Sequence, residues 1–480
     1  MVSYMLKRAK NLISAGCLLG CLAAGTLSAQ DFKARAAAIL STGPFAGAQL
    51  SVVFASALDG AVLYSRAPGL PLVPASTAKL ATSAAALMRL TTDFHFNTAF
   101  LMRKEERGQK KLSVLVWRGT GDPSLSGRGR ASLNEIFEVW ADSLAALGVN
   151  KVKRLVLDGR YFEAPAVHPS WPDREMSYWY QAETSAIAFN DNCVDLEFRP
   201  AAKPGRRPEI ILTPEIGYLK VKNKAVTGAP GSRFTLDYSR EPGTNTVTFS
   251  GSIPIGRNRR DYVAVHDPAR LAAEALKRAW KKKGIKVSSI VPWEKAGLKE
   301  EDLAPAFDWN SQPLAELVKV VNTNSQNLYA EHILKALAKE AAGRGAFDAG
   351  TELVGNFLAA AGIGREQFNL ADGSGLSLEN RFTAAGLVKL LVYMHGTPLF
   401  PVYYESLAKA KKRMQGDPLA EGMRLKRGTV GPARNLAGYL HSASGKLYAF
   451  AVLVNAPGLD RPAVDEGIDE LCLAAAHYLP

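Results

Sequence analysis

Mostly apolar runs over residues 49–54 and 61–64 flank a turn carrying Asp59-Gly60. That pattern predicts a β-hairpin. The period then changes: after Pro74, residues 79–90 are mostly strong helix formers and predict a helix. Near the other end, residues 435–440 and 447–454 flank Ser444-Gly445 and predict a second hairpin. The two chain ends are therefore expected to share one antiparallel sheet, with the helix after Pro74 packed against it. Apolar positions recur at helical spacing over residues 312–322, 327–342, 346–362 and 383–395, which predicts a helical subdomain beside that sheet.

The interval between these parts is long enough for one or two further domains, and its pattern is that of independent folded structure. Strands are predicted over 112–117 and 152–157, a helix over 132–147 between them, and a β-rich stretch over about 208–255. A helix over 268–283 closes the interval, with Asp267 as its cap, Pro268 in its first turn and Gly284 beyond its end. Pro-Gly pairs at 204–205 and 230–231 mark loops, and the chain shows no convincing internal repeat.

Composition narrows the setting. Residues 1–29 carry Lys7, Arg8 and Lys10, no acidic residue, an apolar run over 12–27 and Leu27-Ser28-Ala29 before Gln30. This predicts a secretory signal peptide cut after Ala29 and a periplasmic product. A lipoprotein signal ending at Cys21 is the rival reading, with a loose match before the cysteine. The mature chain keeps Cys193 and Cys472, too few for a disulfide framework, and sequence leaves open whether they pair. No later run approaches the length of a membrane span, so at most peripheral membrane contact is expected. Of the formal net charge of +14, three charges fall in the signal, leaving +11. For an exported protein this favours an anionic envelope polymer or membrane surface over nucleic acid, and for any single basic cluster plain solvated charge suffices.

Three short motifs stand in fixed order: Ser76-Thr77-Ala78-Lys79, Ser325-Gln326-Asn327 and Lys426-Arg427-Gly428-Thr429. They read as S-x-x-K, S-x-N and a variant of K-T-G. Each alone is weak, and the chain holds decoys at Ser406–Lys409, Ser132–Asn134 and Lys282–Gly284. The order and context carry the signal. A serine hydroxyl needs a nearby base to act as a nucleophile at neutral pH, and residues i and i+3 share a helix face, so Lys79 can reach Ser76. A buried lysine crowded by other cations can be neutral enough to take that proton.

These residues resemble the class C low-molecular-mass penicillin-binding proteins, the D-alanyl-D-alanine carboxypeptidase/endopeptidase family of the penicillin-binding protein 4 type. The likeness also covers the strings Gly121-Asp122-Pro123-Ser124-Leu125, Trp171-Pro172 with residues 180–192, the run from Ser325 to Glu331, and the run from Asp372 to Ser377. It implies a multidomain α/β fold. A β-lactamase/transpeptidase-like domain (30–94 and 299–480) with an antiparallel sheet and helical subdomain is interrupted by an inserted domain (95–195 and 256–298), itself carrying a nested β-rich domain (196–255). The resemblance further implies that Ser76 is acylated, with Lys79 as its proton acceptor. Ser325 and Asn327 relay a proton and bind the substrate amide, Lys426 gives electrostatic help, and backbone N–H groups of Ser76 and Thr429 form an oxyanion hole. Gly428 and Thr429 belong to the substrate-binding strand, and Asp158 is the candidate carboxylate of the insert for the free amine of the stem peptide; a turn-capping role explains Asp158 equally well. The implied partners are peptidoglycan stem peptides and β-lactams as covalent inhibitors, with no cofactor.

Arg427 departs from the family pattern, which has Thr in K-T-G. An arginine can grip a carboxylate bidentately, so Arg427 is expected to replace that contact; a degenerate site is the other outcome. The rival functions are a catalytically weak peptidoglycan-binding protein on the same fold and a β-lactamase. The long insertion and the lack of an evident deacylating Glu argue against the latter. Metal hydrolysis has no motif, since Glu331-His332 lacks the second half of H-E-x-x-H.

Overall fold

The computed structural model describes residues 29–41, 43–126, 132–410, 414, 416–458 and 460–480. Apart from the backbone of Ala29, the expected signal segment 1–29 lies outside the described residues.

A six-stranded antiparallel sheet joins the two ends of the chain in the order Ala408–Lys409, Arg424–Val430, Ala433–His441, Leu447–Asn455, Gln49–Ser56 and Val62–Arg66. Side chains alternate between the faces of a strand, and the sequence sorts cleanly by parity. Val53, Ala55, Ala437, Ala449 and Ala451 pack into one core with the helices Lys79–Leu90, Leu314–Thr323, Asn327–Ala342 and Ala384–His395. Val52, Phe54, Leu436, Phe450 and Val452 pack into another with Ala29–Ser41 and the C-terminal helix Arg461–Tyr478. The result is a three-layer α/β/α domain. The two hairpins and the four helices expected from the sequence are all present.

The insert is built on a second, five-stranded sheet in the order Lys286–Pro292, Lys151–Asp158, Lys111–Gly119, Asn97–Arg103 and Leu303–Asn310. Leu303–Asn310 pairs with Asn97–Arg103, so the insert's sheet runs on to residue 310, past the expected edge at 298. Helices Glu135–Ala146 and Pro268–Lys282 cover it over an aromatic core of Phe100, Trp117, Trp140 and Trp280. Asp267 caps the second helix, accepting from the backbone N–H of Arg270 at 3.1 Å. Short strands between Cys193 and Ala264 form the nested β-rich part. Their Phe198, Val247 and Phe249 share the aromatic core, so this part is continuous with the insert that carries it.

Cys193 and Cys472 are buried thiols that form no disulfide, one in the insert and the other in the C-terminal helix. No helix among the described residues is long and apolar enough to cross a membrane.

Candidate active site

Ser76 lies in a 3-10 turn, Ala75–Ala78, which runs directly into the helix Lys79–Leu90. Lys79 is fully buried, with Nζ 3.0 Å from Ser76 Oγ and 2.6 Å from both Asn327 Oδ1 and the carbonyl oxygen of Ser374. Burial drives its pKa down to about 7, against the pull of Glu331 and Asp372. Asn327 opens the helix Asn327–Ala342, and its Nδ2 donates to the carbonyl of Tyr180 at 2.7 Å. Lys426 Nζ donates to Ser325 Oγ at 2.8 Å. Burial, then the charge of Lys79, holds Lys426 well below the usual lysine range. The five expected motif residues Ser76, Lys79, Ser325, Asn327 and Lys426 thus form one linked cluster.

Two glycines bring the walls together. A Cβ on Gly428 would stand 2.5 Å from the carbonyl oxygen of Pro74 and 3.1 Å from the N of Thr77, so only glycine lets this strand approach the nucleophile turn. Gly375 has φ +79°, and a Cβ there would meet the carbonyl oxygen of Ala75 at 1.9 Å. Among the described residues, the short strand Ala408–Lys409 pairs with Arg424 and Leu425 and with no residue beyond them. The strand edge from Lys426 to Val430 runs beside Ser76, where an extended peptide could add to it. A cleft of about 680 Å³ follows this edge, lined among others by Ser76, Ser325, Asn327, Thr429, Glu175 and Tyr180.

Glu331 and Asp372 lie within strings that carry the family likeness, and the sequence alone assigns them no task. Glu331 accepts from the N–H groups of Gly373 and Ser374 at 2.9 and 2.7 Å. Asp372 accepts from the N–H groups of Gly375 and Ser377, the Nδ2 of Asn380 and the indole of Trp171. Together they fold the 372–377 loop so that the Ser374 carbonyl faces Lys79. The signal was available: Glu331 follows Asn327 at i+4, on the same face of one helix.

Two of the expected substrate-binding side chains are held in ion pairs. Arg427 shares strand parity with Leu425, which packs in the core under the C-terminal helix, whereas Lys426 and Gly428 face the nucleophile turn. Arg427 lines the cleft, but its guanidinium is bonded to Asp469, with Asp465 at 3.7 Å, both on that helix. Asp158 is also engaged: its carboxylate accepts from Nε of Arg118 at 2.7 Å and from Nε and a terminal nitrogen of Arg160 at 2.8 and 2.9 Å, at 2% residue exposure. Glu300 accepts from both arginines and completes a structural ion cluster away from the cleft lining. The insert's carboxylate in the cleft is Glu175, beside Trp179 and Tyr180. The decoy Ser406 is buried, donating to the carbonyl of Tyr403 and accepting from Asn322.

A serine-lysine pair, a serine-asparagine wall and a lysine-glycine edge strand, set between a sheet and a helical subdomain with a large insert, define the class of low-molecular-mass penicillin-binding proteins of the penicillin-binding protein 4 type. Residues 32–478 match the D-Ala-D-Ala carboxypeptidase 3 (S13) family, and the chain belongs to it. It is 31% identical over 460 residues to a D-alanyl-D-alanine carboxypeptidase of Actinomadura sp. (strain R39), covering 92% of this chain and 84% of that one. It is 26% identical over 408 residues to the D-alanyl-D-alanine carboxypeptidase DacB of Haemophilus influenzae, covering 80% of each. Its fold superposes on the crystal structure of penicillin-binding protein 4 from Haemophilus influenzae with a TM-score of 0.80 at 23% identity, over 92% of this chain and 99% of that one.

Proposed function

We propose that the chain is a periplasmic serine-type D-alanyl-D-alanine carboxypeptidase and endopeptidase that cleaves peptidoglycan stem peptides through an acyl-enzyme on Ser76 and is trapped covalently by β-lactams. The observation that carries this reading is the contact of the buried Lys79 Nζ with Ser76 Oγ at 3.0 Å. Lys79 takes the hydroxyl proton as Ser76 Oγ attacks the carbonyl carbon between two D-alanines. Backbone N–H groups of Ser76 and Thr429 hold the developing oxyanion. The C–N bond then breaks as the proton held by Lys79 is handed on, with Ser325 on Lys426 as the relay, to the departing amine, which leaves Lys79 neutral again to activate a water. Water repeats the attack on the ester and frees Ser76. A β-lactam enters the first half of the same sequence, its ring C–N bond breaking with the amine still tethered.

Glu175 takes the role expected of Asp158. A carboxylate beside aromatic walls suits the free amine of a stem-peptide side chain, and Tyr180 is held well above the usual tyrosine range by burial and then by the charge of Glu175. The rival reading of a weak envelope-binding protein drew its sequence support from Arg427, and with that side chain on Asp469 no observation favours it.

Release of D-alanine from a peptide ending in D-Ala-D-Ala tests the proposal. The parent chain releases it; Ser76→Ala and Lys79→Ala reduce release by at least about a thousandfold. Release by a folded Ser76→Ala chain at the parent rate would refute it.

A further inference from the structure

The insert reaches the second motif through two side chains. Gln326, the middle residue of Ser325-Gln326-Asn327, donates from Nε2 to Oδ2 of Asp191 at 2.7 Å, and both residues are buried. Next to it, Asn327 donates to the Tyr180 carbonyl. Gln326 stands at the N-cap position of the helix Asn327–Ala342, yet its side chain makes no capping bond there. It crosses to the insert instead.

The backbone on each side of this bond is strained. Asn190, Asp191 and Asn192 have φ of +52°, +54° and +56°, three consecutive non-glycine residues in the left-handed region. Such residues persist only where their surroundings over-determine them. Here Asn190 donates from its backbone to the carbonyl of Leu125 and from Nδ2 to Cys193 O and Asp195. Asn192 donates from Nδ2 to the carbonyl of Glu183, and its own carbonyl accepts from Val265. Across the bond, Ser325 has φ +58°, and in that conformation its Oγ meets Lys426. A rigid strained turn in the insert is thus tied to the neighbour of a strained serine in the site.

We infer that Asp191 is a positioning residue for the reaction. By holding Gln326 it keeps Ser325 in the left-handed conformation that places Oγ on Lys426, while the Tyr180 carbonyl turns the Asn327 amide so that Oδ1 faces Lys79. A carboxylate only accepts, so Gln326 must present its nitrogen; a carbonyl only accepts, so Asn327 must do the same. The insert is then part of the reacting constellation. This inference rests on the reading of Ser76 as the acylated residue.

The test is the rate of acylation of the full chain by a fluorescent penicillin, at a temperature where circular dichroism shows each variant folded. Asp191→Ala and Gln326→Glu should each lower the saturating rate by roughly tenfold or more, with the half-saturating concentration little changed, because orientation and not affinity is lost. The pair Asp191→Asn with Gln326→Glu restores a carboxylate–amide bond in the opposite direction and should recover the rate to within about threefold of the parent. That rescue keeps the test intact if Asp191→Ala does not fold. An unchanged rate in folded Asp191→Ala, or an exchanged pair as slow as Gln326→Glu alone, overturns the positioning role. A parent chain that is not labelled at all overturns the Ser76 reading instead, whatever the variants do.

Discussion

Lys79 Nζ lies 3.0 Å from Ser76 Oγ while Asn327 Oδ1 and the Ser374 carbonyl each sit 2.6 Å from the same nitrogen. A neutral amine has two N–H donors and one lone pair. As an ammonium Lys79 donates to all three oxygens; once neutral, it can keep the two shorter bonds and turn its lone pair to the Ser76 hydroxyl. Burial brings that neutral form within reach near neutral pH.

The pH dependence follows. Lys79 accepts a proton only when unprotonated, and its pKa is pushed down to about 7. The acylation rate should climb with pH up to about 7 and level off above it, falling about tenfold per unit on the acid side. A rate–pH profile with a fluorescent penicillin checks this. The same shift acts on stability. Between pH about 7 and 10.5 the unfolded chain binds this proton and the folded chain does not, so the contribution of Lys79 makes stability rise with pH across that window.

Arg427→Thr should weaken the fold rather than select among substrates. Removing the guanidinium leaves Asp469, 4% exposed, without that partner, at a cost of about 2 to 3 kcal/mol in urea unfolding. Asp469→Asn added to Arg427→Thr should recover most of the loss. Peptides ending in a free carboxylate and in an amide should respond alike. A loss confined to the free carboxylate would place Arg427 on the substrate.

Glu175 and Asp158 separate cleanly. Glu175→Gln should slow cleavage of a peptide with a free side-chain amine about tenfold relative to its acetylated analogue. Asp158→Asn should leave that ratio alone and lower only the stability of the insert, read as easier proteolysis. The opposite assignment would show as the ratio moving with Asp158.

Gly428→Ala forces a methyl group to within 2.5 Å of the Pro74 carbonyl oxygen. The strand and the nucleophile turn must then move apart, and acylation should fall by about a hundredfold while circular dichroism stays unchanged. An acylation rate close to the parent's would mean that the two walls adjust freely.

The sequence made the elements legible where one physical signal dominated. The hairpin turns at Asp59-Gly60 and Ser444-Gly445 and the cap at Asp267 are local, and local chemistry decides them. The motif order likewise brought Ser76, Lys79, Ser325, Asn327 and Lys426 to one cluster. What stayed hidden depends on long-range partners. Arg427 could be placed on the face of Leu425 by strand parity, but Asp469, its partner under the C-terminal helix, lies 42 residues on, beyond the reach of local pattern. Asp158 meets Arg118 through strand pairing between Lys111–Gly119 and Lys151–Asp158, a register set by the whole sheet. The strand Leu303–Asn310 pairs with a segment some two hundred residues earlier, which no local pattern reveals.

The central claim is that Ser76 is the acylated nucleophile, and the most direct measurement is the site of the penicillin adduct. The chain is incubated with benzylpenicillin, digested, and its peptides are mapped by mass spectrometry. A single penicilloyl group is expected on Ser76, absent in Ser76→Ala and strongly reduced in Lys79→Ala. An adduct on Ser406 or Ser325, or no adduct on a chain shown to be folded, would contradict it.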